Sequence, residues 1–248
     1  MKDENLAVLI DADNVPHAHI KEMLDEIAKY GNPTIKRIYA DWTQPQSNGW
    51  KNVLLENAIT PIQQYSYTKG KNSSDSALII DAMDLLYSNK VSGFCIISSD
   101  SDFTRLATRL REASMFVIGI GEKKTPKPFI TACDKFIYIE ILRKERNDER
   151  DPKQDKSKST KPNTKDVDPK LKKLISESIE EISDESGWAF LGSLGNYILK
   201  KSRDFDPRNY GFSKLFPLVK SLNDIEIEER ETGEKNIKHI YVRNKVRG

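Results

Sequence analysis

The sequence predicts an α/β fold built around a mostly parallel sheet, followed by a small second domain of winged-helix type. Three observations carry this expectation. Short β-type runs alternate with segments of helical period through the first 142 residues. Several of those runs are apolar without alternation, as strands covered on both faces must be. A charged stretch then interrupts the chain before three further helical patterns and a closing hairpin.

The strand-like runs are Leu6 to Ile10, Ile35 to Ala40, Phe94 to Ser98, Phe116 to Ile120 and Phe136 to Ile141. Between them His19 to Lys29, Gly49 to Asn57, Ser76 to Ser88 and Phe103 to Glu112 space their apolar residues at helical period. From Arg143 to Pro169 the only aliphatic side chain is Val167, so this segment reads as a solvated linker. Helical patterns return at Leu171 to Ile182, Phe190 to Lys200 and Tyr210 to Leu222. Ile225 to Val242 reads as a hairpin turning near Thr232-Gly233-Glu234, which completes a winged-helix pattern. The expected organisation is a domain over 1–142, a linker over 143–169 and a second domain over 170–248.

Composition excludes more than it selects. Forty basic and 38 acidic side chains leave a net charge of only +2, so charge does not by itself announce a nucleic-acid binder. The apolar run at the N-terminus is five residues long, too short for a signal peptide or a membrane span, and a cytoplasmic protein is expected. Cys95 and Cys133 lie in apolar surroundings without CxxC spacing and are expected to be buried, inert thiols.

The chemistry concentrates in carboxylates. Asp11, Asp13 and Asn14 directly follow the first strand, and Asp100 and Asp102 directly follow the run Phe94 to Ser98. Strand C-termini of an open α/β sheet share the edge where ligands bind. Asp75 begins the helix that precedes the Phe94 to Ser98 strand, so the three groups can converge. Oxygen-only ligands select hard cations such as Mg²⁺ or Mn²⁺, whose charge offsets the clustered negatives, and no histidine or cysteine lies among them to favour zinc. The expected ligands are Asp11, Asp75, Asp100 and Asp102. Asp13 and Asp81 are expected in supporting positions. Any one Asp-x-Asp after a strand could equally cap the next helix.

These segments resemble the NYN domain of the PIN-like nuclease fold, in its limkain- and LabA-like bacterial branch. The matching stretches are Leu-Ile-Asp11-Ala-Asp-Asn14, Lys71-Asn-Ser-Ser-Asp75 through Asp81 to Asp84, Ser98-Ser-Asp100-Ser-Asp102-Phe to Leu106, and Thr125-Pro-Lys-Pro-Phe129 through Asp134 to Phe136. Ser99 stands where that motif often has glycine. The resemblance implies metal-dependent endoribonuclease chemistry, with Asp11, Asp75, Asp100 and Asp102 as catalytic, metal-binding acids and Asn14 beside them. Gly187-Trp-Ala-Phe to Tyr-Gly-Phe-Ser-Lys214 and Ile240-Tyr-Val-Arg243 resemble an OST-HTH (LOTUS) domain, which implies a module associated with RNA.

Phosphate contacts are expected from Lys69, Lys71, Arg105 and Lys123 in the first domain, and from Arg208, Lys214, Lys220, Lys235 and Lys238 in the second. Tyr210 and Phe212 are candidates to stack on bases, although Trp188, Phe190, Tyr210 and Phe216 are more readily read as core. Two other functions fit parts of the pattern. One is a non-catalytic adaptor whose second domain recruits RNA or a partner protein. The other is a phosphatase of the haloacid-dehalogenase type, with Asp11 as nucleophile and Asp13 as general acid.

Overall fold

A computed structural model describes residues 4–65, 73–143, 168–231 and 238–245. The chain forms two compact units, residues 1–152 and 153–248.

The first unit is a six-stranded sheet in the order β3-β2-β1-β4-β5-β6, every neighbouring pair parallel. Its strands are β1 (Asn5–Asp11), β2 (Asn32–Ala40), β3 (Thr60–Gln63), β4 (Gly93–Ile97), β5 (Phe116–Gly121) and β6 (Lys135–Tyr138). The connecting helices are α1 (Ile20–Ile27), α2 (Lys51–Glu56), α3 (Ser73–Tyr87), α4 (Thr104–Glu112) and α5 (Lys127–Ala132). Leu6 to Ile10 are fully buried because both faces of β1 are covered. Ala7 and Leu9 pack with Leu78 of α3, Leu106 and Leu110 of α4 and Phe129 of α5, whereas Leu6, Val8 and Ile10 pack with Met23 and Ile27 of α1. Each fully buried aliphatic side chain contributes about 1.5–3 kcal/mol, so this continuous apolar run secures the sheet centre.

Several expected boundaries are corrected. The strand expected to reach Ile141 ends at Tyr138, and 139–143 is helical. β3 was not expected, since Pro61 lies inside it; it is tolerated because β3 is an edge strand, paired only with β2. The short helix α5 also went unpredicted. The strand order reverses at β1, which pairs with β2 on one side and β4 on the other. In open α/β sheets such a reversal marks the ligand-binding crevice, here beyond the C-terminal ends of β1 and β4.

The second unit contains α6 (Pro169–Ile182), β7 (Ala189–Phe190), α7 (Leu191–Lys201), α8 (Leu215–Lys220), β8 (Ile225–Glu231) and β9 (Lys238–Asn244). The three strands form an antiparallel sheet in the order β7-β9-β8, so helices and hairpin make the expected winged-helix arrangement. Leu171, Ile175, Ile179, Leu194, Ile198, Leu218 and Val242 form its core. The third helix begins later than Tyr210: Pro207–Tyr210 is a 3-10 turn closed by Gly211 at φ 83°, a left-handed conformation suited to glycine. The expected turn at Thr232-Gly233-Glu234 lies outside the described residues.

Candidate metal centre

Two similar turns stand beside the crevice. After β1, Asp11 accepts the Asp13 backbone N–H at 3.2 Å and so caps the 3-10 turn Ala12–Asn14. After β4, Asp100 accepts the Asp102 backbone N–H at 2.9 Å and caps the 3-10 turn Ser101–Phe103. The capping role weighed from the sequence is therefore real, and it orients rather than consumes the motifs. Ser98, fully buried between the turns, donates to Asp11 Oδ2 at 2.7 Å and accepts the Asp100 backbone N–H at 3.0 Å. Asn14 donates to the same Asp11 oxygen at 2.7 Å. Beside Ser98 the packing is close, since a Cβ on Gly121 would stand 2.6 Å from the Ser98 carbonyl.

Asp75, buried in the first turn of α3, faces these turns. Carboxylate oxygens of Asp75, Asp100 and Asp102 all lie within 4.8 Å of one another. Burial, followed by the charges of Asp11, Asp100, Asp102 and Asp13, pushes the Asp75 carboxyl up to about 6. Like charges held this close are costly unless a cation joins them, and a carboxylate-only donor set fits a hard divalent ion. Asp11, the fourth expected ligand, lies outside this group of three. Its carboxyl is raised by burial, against hydrogen bonds from Ser98, Asn14 and the Asp13 amide that favour the charged form. Exposed Asp13 accepts from Ser74 at 3.4 Å.

A family model of the NYN domain matches residues 5–140, which span all three acidic segments. The chain belongs to the NYN domain family. Its first unit has the PIN-like fold of that family, and a second model, of the OST-HTH/LOTUS domain, matches residues 162–237. Among solved structures, a protein of unknown function from Vibrio parahaemolyticus is 18% identical over 55% of this chain and 93% of its own, with a TM-score of 0.47. An uncharacterized protein from Nitrosomonas europaea is 39% identical, covering 37% of this chain and 86% of its own, with a TM-score of 0.31. A fragment (175–257) of a Chromobacterium violaceum protein is 33% identical, covering 32% of this chain and 83% of its own, with a TM-score of 0.27. No curated protein matches.

Elsewhere in the NYN unit, Asp81 points away from the acidic group. It pairs with Arg37 and accepts from the Tyr39 hydroxyl, tying α3 to β2. Arg105 is exposed on the first turn of α4, directly after the Asp102 turn, and Lys123 is exposed after β5. Lys69 and Lys71 lie outside the described residues. Cys95 and Cys133 are fully buried thiols, and Cys133 donates to the Phe129 carbonyl at 3.3 Å. No described helix is long and apolar enough to cross a membrane.

In the OST-HTH unit the expected phosphate ligands separate. Arg208 is committed to Asp206, donating through Nε at 3.0 Å and through a terminal nitrogen at 2.8 Å. Lys214 and Lys220 are exposed, Lys238 pairs with Glu229, and Lys235 lies outside the described residues. Phe212 is core, contrary to a stacking role, whereas Tyr210 and Phe190 are more than a third exposed, contrary to a core role. The sequence reading missed Ser98, whose signal was only its place as the first polar residue after β4. It also missed a ladder of rings on the outer face of the wing sheet. There Phe190 meets His239 and Tyr241, Arg230 covers the Tyr241 ring at 4.2 Å, and Arg243 covers Trp188 at 4.6 Å. Arg230 and Arg243 also pair with Glu228 and Glu226, so this face is nearly neutral.

Proposed function

We propose that the NYN unit is an endoribonuclease that hydrolyses RNA phosphodiesters with a divalent ion, Mg²⁺ or Mn²⁺, and that the OST-HTH unit recruits the RNA. The observation that carries this reading is the convergence of Asp75, Asp100 and Asp102 within 4.8 Å at the point where the strand order reverses. These three carboxylates would hold the ion, which when bound activates water and neutralises charge developing on the phosphate.

The remaining residues act by position. Asp11, with Asn14 and Ser98, fixes the two acidic turns relative to each other and adds negative charge beside Asp75. Arg105 and Lys123 supply phosphate contacts, as Lys69 and Lys71 are expected to from the sequence; in the OST-HTH unit exposed Lys214 contacts phosphate and exposed Tyr210 stacks on a base. Such a protein works where its RNA is, in the cytoplasm. The phosphatase alternative needs Asp11 to attack phosphorus, yet Asp11 is 1% exposed and both its oxygens accept hydrogen bonds.

The test is cleavage of a labelled single-stranded RNA in Mn²⁺ by the full chain and by Asp100→Asn. Cleavage by the wild-type chain, falling about 100-fold or more in the variant, is expected. Equal cleavage by both, or cleavage by neither with RNA binding retained, contradicts it; the second result favours the adaptor.

A further inference from the structure

A second feature of the same sheet edge has no role in the carboxylate chemistry. Beside β3 and α2 lies a cavity of about 390 Å³ lined by Trp42, Asn48, Lys51, Leu54, Pro61 and Gln63. Trp42 follows the end of β2 and Gln63 ends β3. These strands neighbour β1 on the side opposite β4, about two strand spacings, or roughly 10 Å, across the sheet from Asp11 to the β3 end.

The cavity wall is held by hydrogen bonds, and the side chains at its rim are exposed. The Trp42 ring nitrogen donates to the Ile62 carbonyl at 2.9 Å, and the Trp42 backbone N–H donates to Gln63 Oε1 at 3.0 Å. Gln63 Nε2 in turn donates to Asp41 at 3.1 Å, and Asp41 is further held by the Thr43 amide and hydroxyl. The indole is thus fixed before any ligand arrives, which removes an ordering cost from binding. Asn48 and Lys51 are exposed at the rim, and no described residue engages their side-chain nitrogens or oxygens. A flat apolar wall, one uncommitted amide and one uncommitted ammonium are the complement of a heterocyclic base carrying a phosphate.

We propose that this cavity receives one unpaired nucleobase of the RNA strand, stacked on Trp42 and read by the Asn48 amide, with Lys51 on an adjoining phosphate. The inference rests on the endoribonuclease reading for its choice of ligand. It makes Trp42 and Asn48 specificity-determining residues at a distance from the cut.

The test uses the full chain in EDTA, with adenosine and uridine 5′-monophosphates as probes and ribose 5-phosphate as the baseless control. Tryptophan fluorescence should be quenched saturably by at least one nucleotide and not by the control. Trp42→Phe should remove the quench, and Asn48→Ala, at an exposed position that does not endanger folding, should weaken the nucleotide several-fold. Trp42→Ala should weaken a short single-stranded RNA by about 5- to 150-fold, the range of one base–aromatic stack. No saturable quench, a quench that survives Trp42→Phe, or equal binding of ribose 5-phosphate overturns the proposal. The two readings fail separately. A chain that cuts no RNA but loses its quench in Trp42→Phe keeps the base site and loses the nuclease. One that cuts RNA, with cleavage and oligonucleotide binding unchanged by Trp42→Ala, keeps the nuclease and loses the base site.

Discussion

The Ser98 hydroxyl donates to Asp11 Oδ2 at 2.7 Å, and through its second contact, to the Asp100 amide, joins the turn after β1 to the turn after β4. Ser98→Ala deprives a carboxylate that is 1% exposed of one of its three donors. A loss of about 1–3 kcal/mol in urea denaturation is expected, the cost of leaving a buried charged acceptor short of a partner. RNA cleavage should fall as well, because the Asp100 turn loses its anchor. Unchanged stability and unchanged cleavage would remove Ser98 from the site.

Asp75 should make the metal-free protein sensitive to pH in an unusual direction. Its carboxyl is pushed up to about 6 in the folded chain from 3.8. A folded value above the unfolded one contributes stability that is present below about pH 4 and is lost as pH rises through 6. At about 1.36 kcal/mol per unit the effect is on the order of 3 kcal/mol. Asp75→Asn in EDTA should therefore be more stable than the wild type at pH 7.5, by an amount that shrinks towards pH 4, while its cleavage in Mn²⁺ collapses. Denaturation profiles that run parallel from pH 4 to 7.5 would sink this expectation.

Asp81 should behave as a structural acid. Tyr39→Phe removes one donor to it and should cost about 1 kcal/mol, and Asp81→Asn, which also breaks the Arg37 pair, about 1–3 kcal/mol. Neither should change Mn²⁺ affinity measured by calorimetry. A tenfold loss of affinity in Asp81→Asn would return it to the metal centre.

In the OST-HTH unit, Lys214 and Arg208 should separate RNA binding from stability. Lys214→Ala should weaken single-stranded RNA and reduce the slope of log affinity against log salt by about 0.7, the share of one phosphate contact. Arg208→Ala should instead lower thermal stability, since it abandons Asp206, which is 6% exposed. The reverse pattern would place the RNA surface at Arg208.

How much of this was legible in the sequence depends on whether the signal was local. Leu6 to Ile10 and Phe94 to Ile97 read as doubly covered strands because burial on both faces leaves no room for polar residues. β3 was illegible since Pro61 argues against a strand and only its edge position, a tertiary fact, permits one. Prolines 126 and 128 hid α5 in the same way. Asp11, Asp75, Asp100 and Asp102 could be picked out by their places at strand ends and a helix start. The hydrogen bonds that Asn14 and Ser98 donate to Asp11 could not, because they depend on how the turns after β1 and β4 pack together. The stacked rings of Phe190, His239 and Tyr241 depend on the pairing of β7 with β9, which no local pattern states.

The most direct measurement is anomalous diffraction from a crystal of the full chain soaked in Mn²⁺. A peak bound by Asp75, Asp100 and Asp102, absent in Asp100→Asn, is the expected result. Occupancy elsewhere, or an empty crevice with those three carboxylates splayed apart, would contradict the metal centre and the nuclease activity proposed from it.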